Sequence, residues 1–243
     1  MVKSNSLALI LAAGKGSRMN SDIPKPLVNV SGKPIISWLI ADFIKNNIDV
    51  SIVINPIDLS AFSDYENQVD FIFQKNPKGT GHAVMQAKNK FKDYDNIFVF
   101  VGDCPFVGKN NIRKMLDNHI ETQSDLTILS SLFKEKKFPY ARIIRSLDGH
   151  IIKCIEEINA NEEQKKVNEL FCSHYIFKSN VLLKYLKKLI PDKINGEIYL
   201  TEIINELIAD EKLISSLIVD NWKQLVGLNT KEEINWIEKQ KIV

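Results

Sequence analysis

The sequence predicts an α/β protein built on a doubly wound, mostly parallel β-sheet. Strand-like and helix-like segments alternate through the first half of the chain, which is typical of parallel strands joined by crossover helices. One apolar run, Ile97–Val101, has no alternation with polar residues, as expected for a central parallel strand buried on both faces. The length of 243 residues is enough to bury a full core, so we expect one domain over residues 1–243.

The elements of the first half follow from hydrophobic spacing. Ile36, Ile40 and Phe43 fall on one face of a helix, whereas short apolar runs bounded by polar or turn residues predict strands. In chain order we expect a strand at Leu7–Leu11, a helix at Ile35–Asn46, strands at Val50–Ile54 and Val69–Phe73, a helix at Gly81–Phe91, the strand Ile97–Val101, a helix at Asn110–His119 and a strand at Leu126–Leu132.

The second half is less regular and predicts a small antiparallel lobe. Two segments, Tyr140–Arg145 and His150–Ile155, flank the turn sequence Asp148-Gly149, which favours a hairpin. Asn161–Asn168 is polar and is predicted to be a surface loop or a short helix. Further along we expect a strand at Tyr175–Phe177, helices at Asn180–Leu189 and Tyr199–Ala209, a strand at Leu213–Val219 and a helix at Lys231–Gln240. We divide the domain into two halves, 1–135 and 136–243.

Composition argues against several classes of partner. Lysine and arginine number 32 against 30 aspartate and glutamate residues, and the net charge of +2 disfavours a general nucleic-acid binder, which would show a concentrated basic face. No apolar run is long enough to insert into a membrane. Cys104, Cys154 and Cys172 lack paired metal-ligand spacing, so we expect buried thiols in a reducing cytoplasm. The four histidines are scattered, which predicts structural or exposed roles.

The most informative segment follows the first predicted strand. Leu11-Ala12-Ala13-Gly14-Lys15-Gly16 passes from a strand into small residues and glycines, which allow backbone N–H groups to approach a polyphosphate. Arg18 and Lys25 add positive charge beside it. The spacing does not fit a Walker loop, and Met19 stands where the dinucleotide fingerprint needs a third glycine. The segment therefore predicts a nucleotide site of another kind.

Three further segments place polar groups at predicted strand ends or helix starts. Lys78-Gly79-Thr80-Gly81-His82-Ala83 opens a helix whose N-terminus can face a ligand, and Gln74 before it carries an amide that can read the edge of a base. Val101-Gly102-Asp103-Cys104-Pro105 ends the central strand, where a carboxylate suits Mg²⁺. Asn229 precedes the last predicted helix, where an asparagine can serve as a cap.

Together these segments resemble the sugar-phosphate nucleotidyltransferase family, and most of all the pyrophosphorylase domain of its bifunctional N-acetylglucosamine-1-phosphate uridyltransferases. The likeness rests on Leu-Ala-Ala-Gly-x-Gly-x-Arg-Met with Pro-Lys, on Gly-Thr-Gly-His-Ala, on Gly-Asp-x-Pro and on Gly-x-Asn, and it runs over nearly the whole chain. It implies a Rossmann-like fold of the nucleotide-diphospho-sugar transferase type, with an NTP and a phosphorylated small-molecule acceptor as substrates. It also implies nucleotide contacts at Leu11, Ala12, Ala13, Gly14, Gly16, Gln74, Gly79, Thr80, Gly102 and Asp103.

The resemblance assigns the chemistry to few side chains. Arg18 would stabilise the leaving β- and γ-phosphates, and Lys25 would bridge the α-phosphate and the acceptor phosphate. Asp103 and Asn229 would hold Mg²⁺, the implied cofactor. An acceptor phosphate monoester is already mostly dianionic near neutral pH, so no strong general base is needed and alignment lowers the barrier.

The half at 136–243 is implied to bind the acceptor. The resemblance places acceptor contacts at Ala141, Glu156, Phe171 and Thr201. Ala141 stands where the family has glycine, Phe171-Cys172-Ser173 replaces Asn-Thr-Gly, and Ile158 replaces a lysine. A site built on hydrogen bonds discriminates strongly when they are lost. These departures therefore predict an acceptor other than N-acetylglucosamine 1-phosphate.

Several functions remain open from the sequence. The leading one is a Mg²⁺-dependent transferase that uses UTP and a sugar 1-phosphate. A cytidylyltransferase acting on a small non-sugar phosphate is also compatible, because Gln74 alone does not separate uracil from cytosine. A non-catalytic nucleotide-sugar sensor would need no aligned metal ligands, and a hydride-transferring enzyme would need the missing glycine. We expect a monomer or dimer, and no acetyltransferase domain beyond Val243.

Overall fold

The computed structural model describes residues 5–14, 16, 19, 23–134, 138–240 and 242 of the chain. The strands within these ranges are β1 (Ser6–Leu11), β2 (Asn29–Val30), β3 (Lys33–Pro34), β4 (Asp49–Ile54), β5 (Asp70–Phe73), β6 (Asn96–Val101), β7 (Leu126–Leu132), β8 (Ala141–Arg145), β9 (Ile151–Ile155), β10 (Glu169–Lys178) and β11 (Ile214–Ile218). The α-helices are α1 (Ile35–Ile44), α2 (Thr80–Gln86), α3 (Lys109–Glu121), α4 (Ser179–Tyr185), α5 (Glu202–Ala209) and α6 (Lys231–Glu238).

One large sheet organises the described residues. Its strands follow the order β11-β7-β10-β6-β1-β4-β5, with β8 and β9 attached beside β10. The pairs β6–β1, β1–β4, β4–β5 and β11–β7 are parallel, which confirms the predicted mostly parallel sheet. The exception is β10, which lies between β6 and β7 and is antiparallel to both. The carboxyl ends of β1, β4 and β6 meet at one edge, where the glycine-containing loop follows β1.

The second half of the chain adds a small antiparallel part to this sheet. β8 and β9 form the predicted hairpin, and β8 also pairs with the first residues of β10. The register of β10 against β7 shifts between Phe171 and Tyr175, and Ser173 there takes a φ of 59°. Strands from residues 1–135 and 136–243 therefore share one sheet. The assignment of different ligands to the two halves stays a prediction.

Two helical layers cover the sheet. On one face α1, α3 and α6 pack over side chains such as Ile10, Phe98 and Phe100. On the other face α2, α4 and α5 pack over Leu9 and Val99, which are neighbours of those residues along the same strands. Successive side chains of a strand point to opposite faces, so a strand that is apolar throughout supplies both layers. This explains the uninterrupted apolar run of β6.

Some local structure differs from the sequence prediction. α2 ends at Gln86 rather than at Phe91, because Phe91 is fully buried at the start of a separate 3₁₀ turn. A 3₁₀ helix at Pro56–Tyr65 is absent from the prediction, since its apolar residues are interspersed with Asp and Ser and form no continuous apolar face. The Asn55 side chain caps it by accepting from the Ile57 N–H at 3.2 Å.

The remaining whole-chain expectations concern membranes and thiols. Within the described part of the chain, every helix is too short or too polar to cross a bilayer. Cys104, Cys154 and Cys172 are unpaired and buried, which confirms the prediction of buried thiols. Burial raises the pKa of all three well above the ordinary value, so they stay protonated near neutral pH.

Candidate active site

The glycine-containing loop and the strand-end motifs line a single cleft. It has a volume of about 640 Å³ and lies at the carboxyl ends of β1 and β6, the place where open α/β sheets bind ligands. Lys25 and Asn229 line this cleft. Every predicted nucleotide contact lines it as well, namely Leu11, Ala12, Ala13, Gly14, Gly16, Gln74, Gly79, Thr80, Gly102 and Asp103. Arg18 lies outside the described residues.

Glycine is required at two points of this cleft where the backbone is crowded. The Gly102 N–H donates to Leu11 O at 2.8 Å, and a Cβ on Gly102 would lie 3.0 Å from that same oxygen. Gly16 has a φ of 58°, and a Cβ there would lie 2.8 Å from Lys25 Cβ. These close approaches bring the segment after β1 against both Lys25 and the end of β6. They place Lys25 and Asp103 in the same part of the cleft.

Lys25, Asp103 and Asn229 form a polar cluster in the cleft. Lys25 Nζ lies 2.5 Å from Asp103 Oδ2 and donates to Asn229 Oδ1 at 3.0 Å. The Lys25 and Asp103 side chains are only 15% and 22% exposed. Burial disfavours the Asp103 carboxylate, but the Lys25 ammonium and the Cys104 thiol outweigh burial and hold the pKa of Asp103 below its ordinary value. Asp103 is therefore ionised near neutral pH.

Thr230, rather than Asn229, caps α6. The Thr230 hydroxyl accepts from the Glu233 N–H at 3.2 Å, and the Glu233 carboxylate accepts from the Asn229 main-chain N–H at 2.6 Å. The Thr230 hydroxyl thus satisfies one N–H group at the start of α6, and Glu233 binds the residue that precedes the cap. The Asn229 side chain is therefore not used for capping.

The Asn229 side chain instead faces Lys25, because the chain before α6 is fastened to the end of β6. The Leu228 N–H donates to Asp103 O at 2.8 Å. The Asn229 Nδ2 donates to Gly227 O at 3.3 Å, so the amide oxygen Oδ1 is the atom presented to Lys25. The sequence prediction of Asn229 beside Asp103 thus has a structural basis in this backbone contact.

The oxygen atoms of Asp103 and Asn229 suit a hard divalent cation. Both converge on one positive group, the Lys25 ammonium, and Mg²⁺ prefers carboxylate and amide oxygens completed by water and substrate phosphates. A Cβ on Gly227 would lie 3.1 Å from Asp103 Oδ1, so glycine leaves space beside that oxygen. Among the described residues, no group of three or more His, Cys, Asp or Glu side chains forms another candidate metal site.

The segment before α5 holds the start of α2. A Cβ on Gly79, which has a φ of 98°, would lie 2.6 Å from Ile198 O. The Thr80 hydroxyl accepts from the Leu200 N–H at 3.0 Å. Glu197, next to these residues, also lines the cleft. Glu197 is not among the predicted site residues, because its place in the cleft depends on this docking between distant segments.

Gln74 is 3% exposed, and its amide contacts a histidine. Gln74 Nε2 lies 2.8 Å from His82 Nδ1 and 3.5 Å from Gly79 O. Burial, with the nearby Lys78 charge, lowers the pKa of His82. The sequence indicates only a structural or exposed role for His82. The structure places its ring against the side chain that is predicted to contact the base.

The predicted acceptor residues fall in two places outside the lining of this cleft. The Thr201 hydroxyl donates to Glu156 Oε1 at 2.6 Å, and burial raises the pKa of Glu156 although this hydrogen bond opposes the rise. Ala141 and Phe171 are 3% and 1% exposed and belong to the hydrophobic core, where the Phe171 ring packs edge-on against Tyr175. Direct contact of these four residues with an acceptor stays a prediction.

Fold and site together define the class of protein. A solved structure from Bacillus anthracis, described as a glucose-1-phosphate thymidylyltransferase, matches this chain with a TM-score of 0.76 over 97% of this chain and 94% of that one, at 20% identity. At this identity the likeness shows the fold, which is of the nucleotide-diphospho-sugar transferase type. The family model of the MobA-like NTP transferase domain matches residues 8–190, and the chain belongs to this family of nucleotidyltransferases.

Curated relatives agree with the resemblance seen in the sequence. The bifunctional protein GlmU of Caldanaerobacter subterraneus is 32% identical over 234 residues, which are 96% of this chain and 51% of that protein. The GlmU protein of Thermosipho africanus is 34% identical over 231 residues, 95% of this chain and 49% of that protein. The chain spans about half the length of the curated relatives it matches.

Proposed function

We propose that this chain transfers a uridylyl group from UTP to a sugar 1-phosphate, with Mg²⁺ as cofactor and pyrophosphate as the leaving group. The observation that carries the proposal is the convergence of Lys25, Asp103 and Asn229 beside the glycine-containing loop. A purely binding site has no need of a carboxylate and an amide aligned on one cation, whereas nucleotidyl transfer does. The name of the B. anthracis neighbour favours a sugar 1-phosphate as the acceptor.

The reaction exchanges one bond at the α-phosphorus for another. An oxygen of the acceptor phosphate bonds to the α-phosphorus, and the bridging oxygen to the β-phosphate leaves with its electron pair as pyrophosphate. Lys25 neutralises charge between the α-phosphate and the acceptor, while Arg18 neutralises the β- and γ-phosphates. Backbone N–H groups of Ala13 and Gly14 hold the triphosphate, since the Ala12 N–H already donates to Val53 O at 2.8 Å. When held by Asp103 and Asn229, Mg²⁺ supplies further charge neutralisation at the phosphate oxygens.

On the acceptor side we assign a sugar contact to Glu156, which Thr201 holds in place. Ala141 and Phe171 lie in the core and would shape the acceptor site through packing. The amide that the family has in place of Phe171 would be lost, which favours an acceptor other than N-acetylglucosamine 1-phosphate. Residues 136–243 would thus carry acceptor recognition.

We further propose that the reaction takes place in the cytoplasm, on a monomer or a dimer. The cytoplasmic assignment is supported by the three buried, unpaired cysteines, which suit a reducing compartment.

Pyrophosphate release tests the reaction directly. UTP, CTP, GTP, ATP and dTTP are each combined with a panel of sugar 1-phosphates and small-molecule phosphates in the presence of Mg²⁺. We expect release with UTP and a sugar 1-phosphate, and loss of release in EDTA. Tight nucleotide binding without release from any pair would overturn the proposal and favour a nucleotide-sugar sensor.

Asp103→Asn tests the cluster that carries the proposal. We expect pyrophosphate release to fall by about 100-fold or more, because the neutral amide no longer balances the cations of the cleft. Asp117→Asn is the matched control, since it breaks an exposed pair with Arg113 on α3, and it should leave the rate within about twofold. An unchanged rate in Asp103→Asn would remove Asp103 from the mechanism.

A further inference from the structure

The hydrogen bonds of the Gln74 amide leave one of its two ends for a ligand. Gln74 lines the cleft, but the amide nitrogen is engaged inside the protein, with His82 Nδ1 at 2.8 Å and Gly79 O at 3.5 Å. An amide has two N–H donors and one carbonyl acceptor. With both donors directed at protein atoms, the carbonyl oxygen Oε1 is the group that remains for a base.

The neighbouring carbonyl fixes which end of the amide faces inward. Gly79 O can only accept a hydrogen bond, so the Gln74 atom beside it must be the nitrogen. His82 Nδ1 must then accept from the same nitrogen, which requires a lone pair on Nδ1 and a neutral ring with its proton on Nε2. Gln86 Nε2 lies 3.4 Å from His82 Nε2, but it already donates to His82 O at 3.0 Å, so this longer contact does not require an acceptor at Nε2. The lowered pKa of His82, caused by burial and by Lys78, is consistent with the neutral ring.

The orientation of the amide matters because pyrimidine bases differ at one ring position. Uracil and thymine carry an N–H donor at N3, whereas N3 of cytosine is an acceptor. A carbonyl oxygen can accept a hydrogen bond from N3–H of uracil or thymine, but at N3 of cytosine it meets only a lone pair. A mismatched buried polar group loses its hydrogen bond and keeps its desolvation cost.

We propose that His82 is a positioning residue for base selection: its Nδ1 holds the Gln74 amide with Oε1 toward the base, and this selects uracil or thymine over cytosine. The inference rests on the proposed function in one respect only, the binding of a pyrimidine nucleotide beside Gln74. It separates UTP from CTP, which the presence of a glutamine alone does not.

Three variants of this chain test this role. His82→Phe and His82→Ala both remove the acceptor, whereas His82→Asn keeps an acceptor oxygen close to the place of Nδ1. UTP and CTP binding is measured by calorimetry with Mg²⁺, and KM and kcat are measured by pyrophosphate release. His150→Phe, at an exposed histidine that is not part of the cleft lining, is the matched control.

We expect the wild-type chain and the His150→Phe control to bind UTP more tightly than CTP. His82→Phe and His82→Ala should reduce the UTP-to-CTP preference by about tenfold, with KM for UTP rising more than kcat falls. His82→Asn should keep most of the preference. A role in packing alone would make the asparagine variant as defective as the other two, so that result would overturn the proposal.

The test separates this inference from the proposed function. Pyrophosphate release with a UTP-to-CTP preference that is the same in His82→Phe and the wild type would overturn the role of His82 and leave the transferase in place. Base-selective binding that depends on His82, without release from any substrate pair, would support the role of His82 and overturn the transferase.

Discussion

Lys25 supplies the positive charge that a mostly buried carboxylate needs. Asp103 is ionised although it is shielded from water, and an unpaired charge in such a place is costly. The Lys25 ammonium is its partner, and the amide oxygen of Asn229 shares the same group. The stability of this cluster and the proposed chemistry therefore depend on the same side chain.

Lys25→Ala should destabilise the protein by about 2–3 kcal/mol in EDTA, because it leaves Asp103 without its partner. Mg²⁺ should restore more stability to this variant than to the wild type, since a cation that binds the folded state replaces the lost charge. Denaturant unfolding with and without MgCl₂ measures both effects. Lys90→Ala is the control: it breaks the exposed pair with Asp70 and should cost less than about 1 kcal/mol. Equal losses in the two variants would contradict the argument from burial.

Much of the cleft lining could be predicted from the sequence, because these residues lie in family motifs at the end of a strand or the start of a helix. Their contacts with a nucleotide stay a prediction. The contacts between residues far apart in the chain could not be predicted from such local motifs. Lys25 and Asn229 are separated by 204 positions, and only the fastening of the segment before α6 to β6 brings them together. The contact between Gln74 and His82 was likewise hidden, because a single histidine near a helix start has no pattern of its own.

At the scale of elements, the start of α2 is the most constrained point of the cleft. Gly79→Ala would combine an unfavourable φ of 98° with a Cβ placed 2.6 Å from Ile198 O. Gly196 has a φ of 74° but no atom within 4 Å of the added Cβ, so Gly196→Ala isolates the cost of the dihedral angle. We expect about 1 kcal/mol for Gly196→Ala and at least about 2 kcal/mol more for Gly79→Ala, from the clash. Thermal unfolding of both variants checks the difference. Similar losses of stability would contradict the expected clash and show that the segment before α5 moves to accommodate the added Cβ.

The length and the direction of β10 could not be predicted from the sequence pattern. Only Tyr175–Phe177 was predicted as a strand, because Cys172, Ser173 and His174 interrupt the apolar pattern ahead of it. The structure extends the strand to Glu169 and buries His174 completely between its neighbours. Its antiparallel direction depends on pairing with β6 and β7, and no local signal encodes that.

At the scale of the whole molecule, stability should depend on pH through a buried histidine. His119 is 2% exposed on α3, with its Nδ1 at 2.8 Å from the Thr127 hydroxyl on β7. Burial, followed by the Lys178 charge, lowers the pKa of His119 to about 4. The ring therefore stays neutral in the folded protein at a pH where it is protonated in the unfolded chain.

The sign of the effect follows from proton binding. Below about pH 6.5 the unfolded chain binds a proton at His119 that the folded state does not take up until about pH 4. The free energy of unfolding should therefore fall as the pH is lowered through this window, by up to about 1.4 kcal/mol per pH unit for this group. His119→Leu should reduce that slope, and His150→Leu, at an exposed position, should keep it. Denaturant unfolding at pH 7, 6 and 5 measures the slopes, and an unchanged slope in His119→Leu would refute the assignment.

The position of β10 also decides when the fold can be completed during synthesis. β6 and β7 are made early, but they do not pair with each other, and the space between them is filled only by β10. Such long-range closure is slow to form and leaves strand edges exposed in the meantime. The gap persists on the ribosome until Lys178 has emerged. The same geometry means that the two halves of the chain are not independent folding units: in a chimaera joined at residue 135, β10 of one protein would have to pair with β6 and β7 of the other.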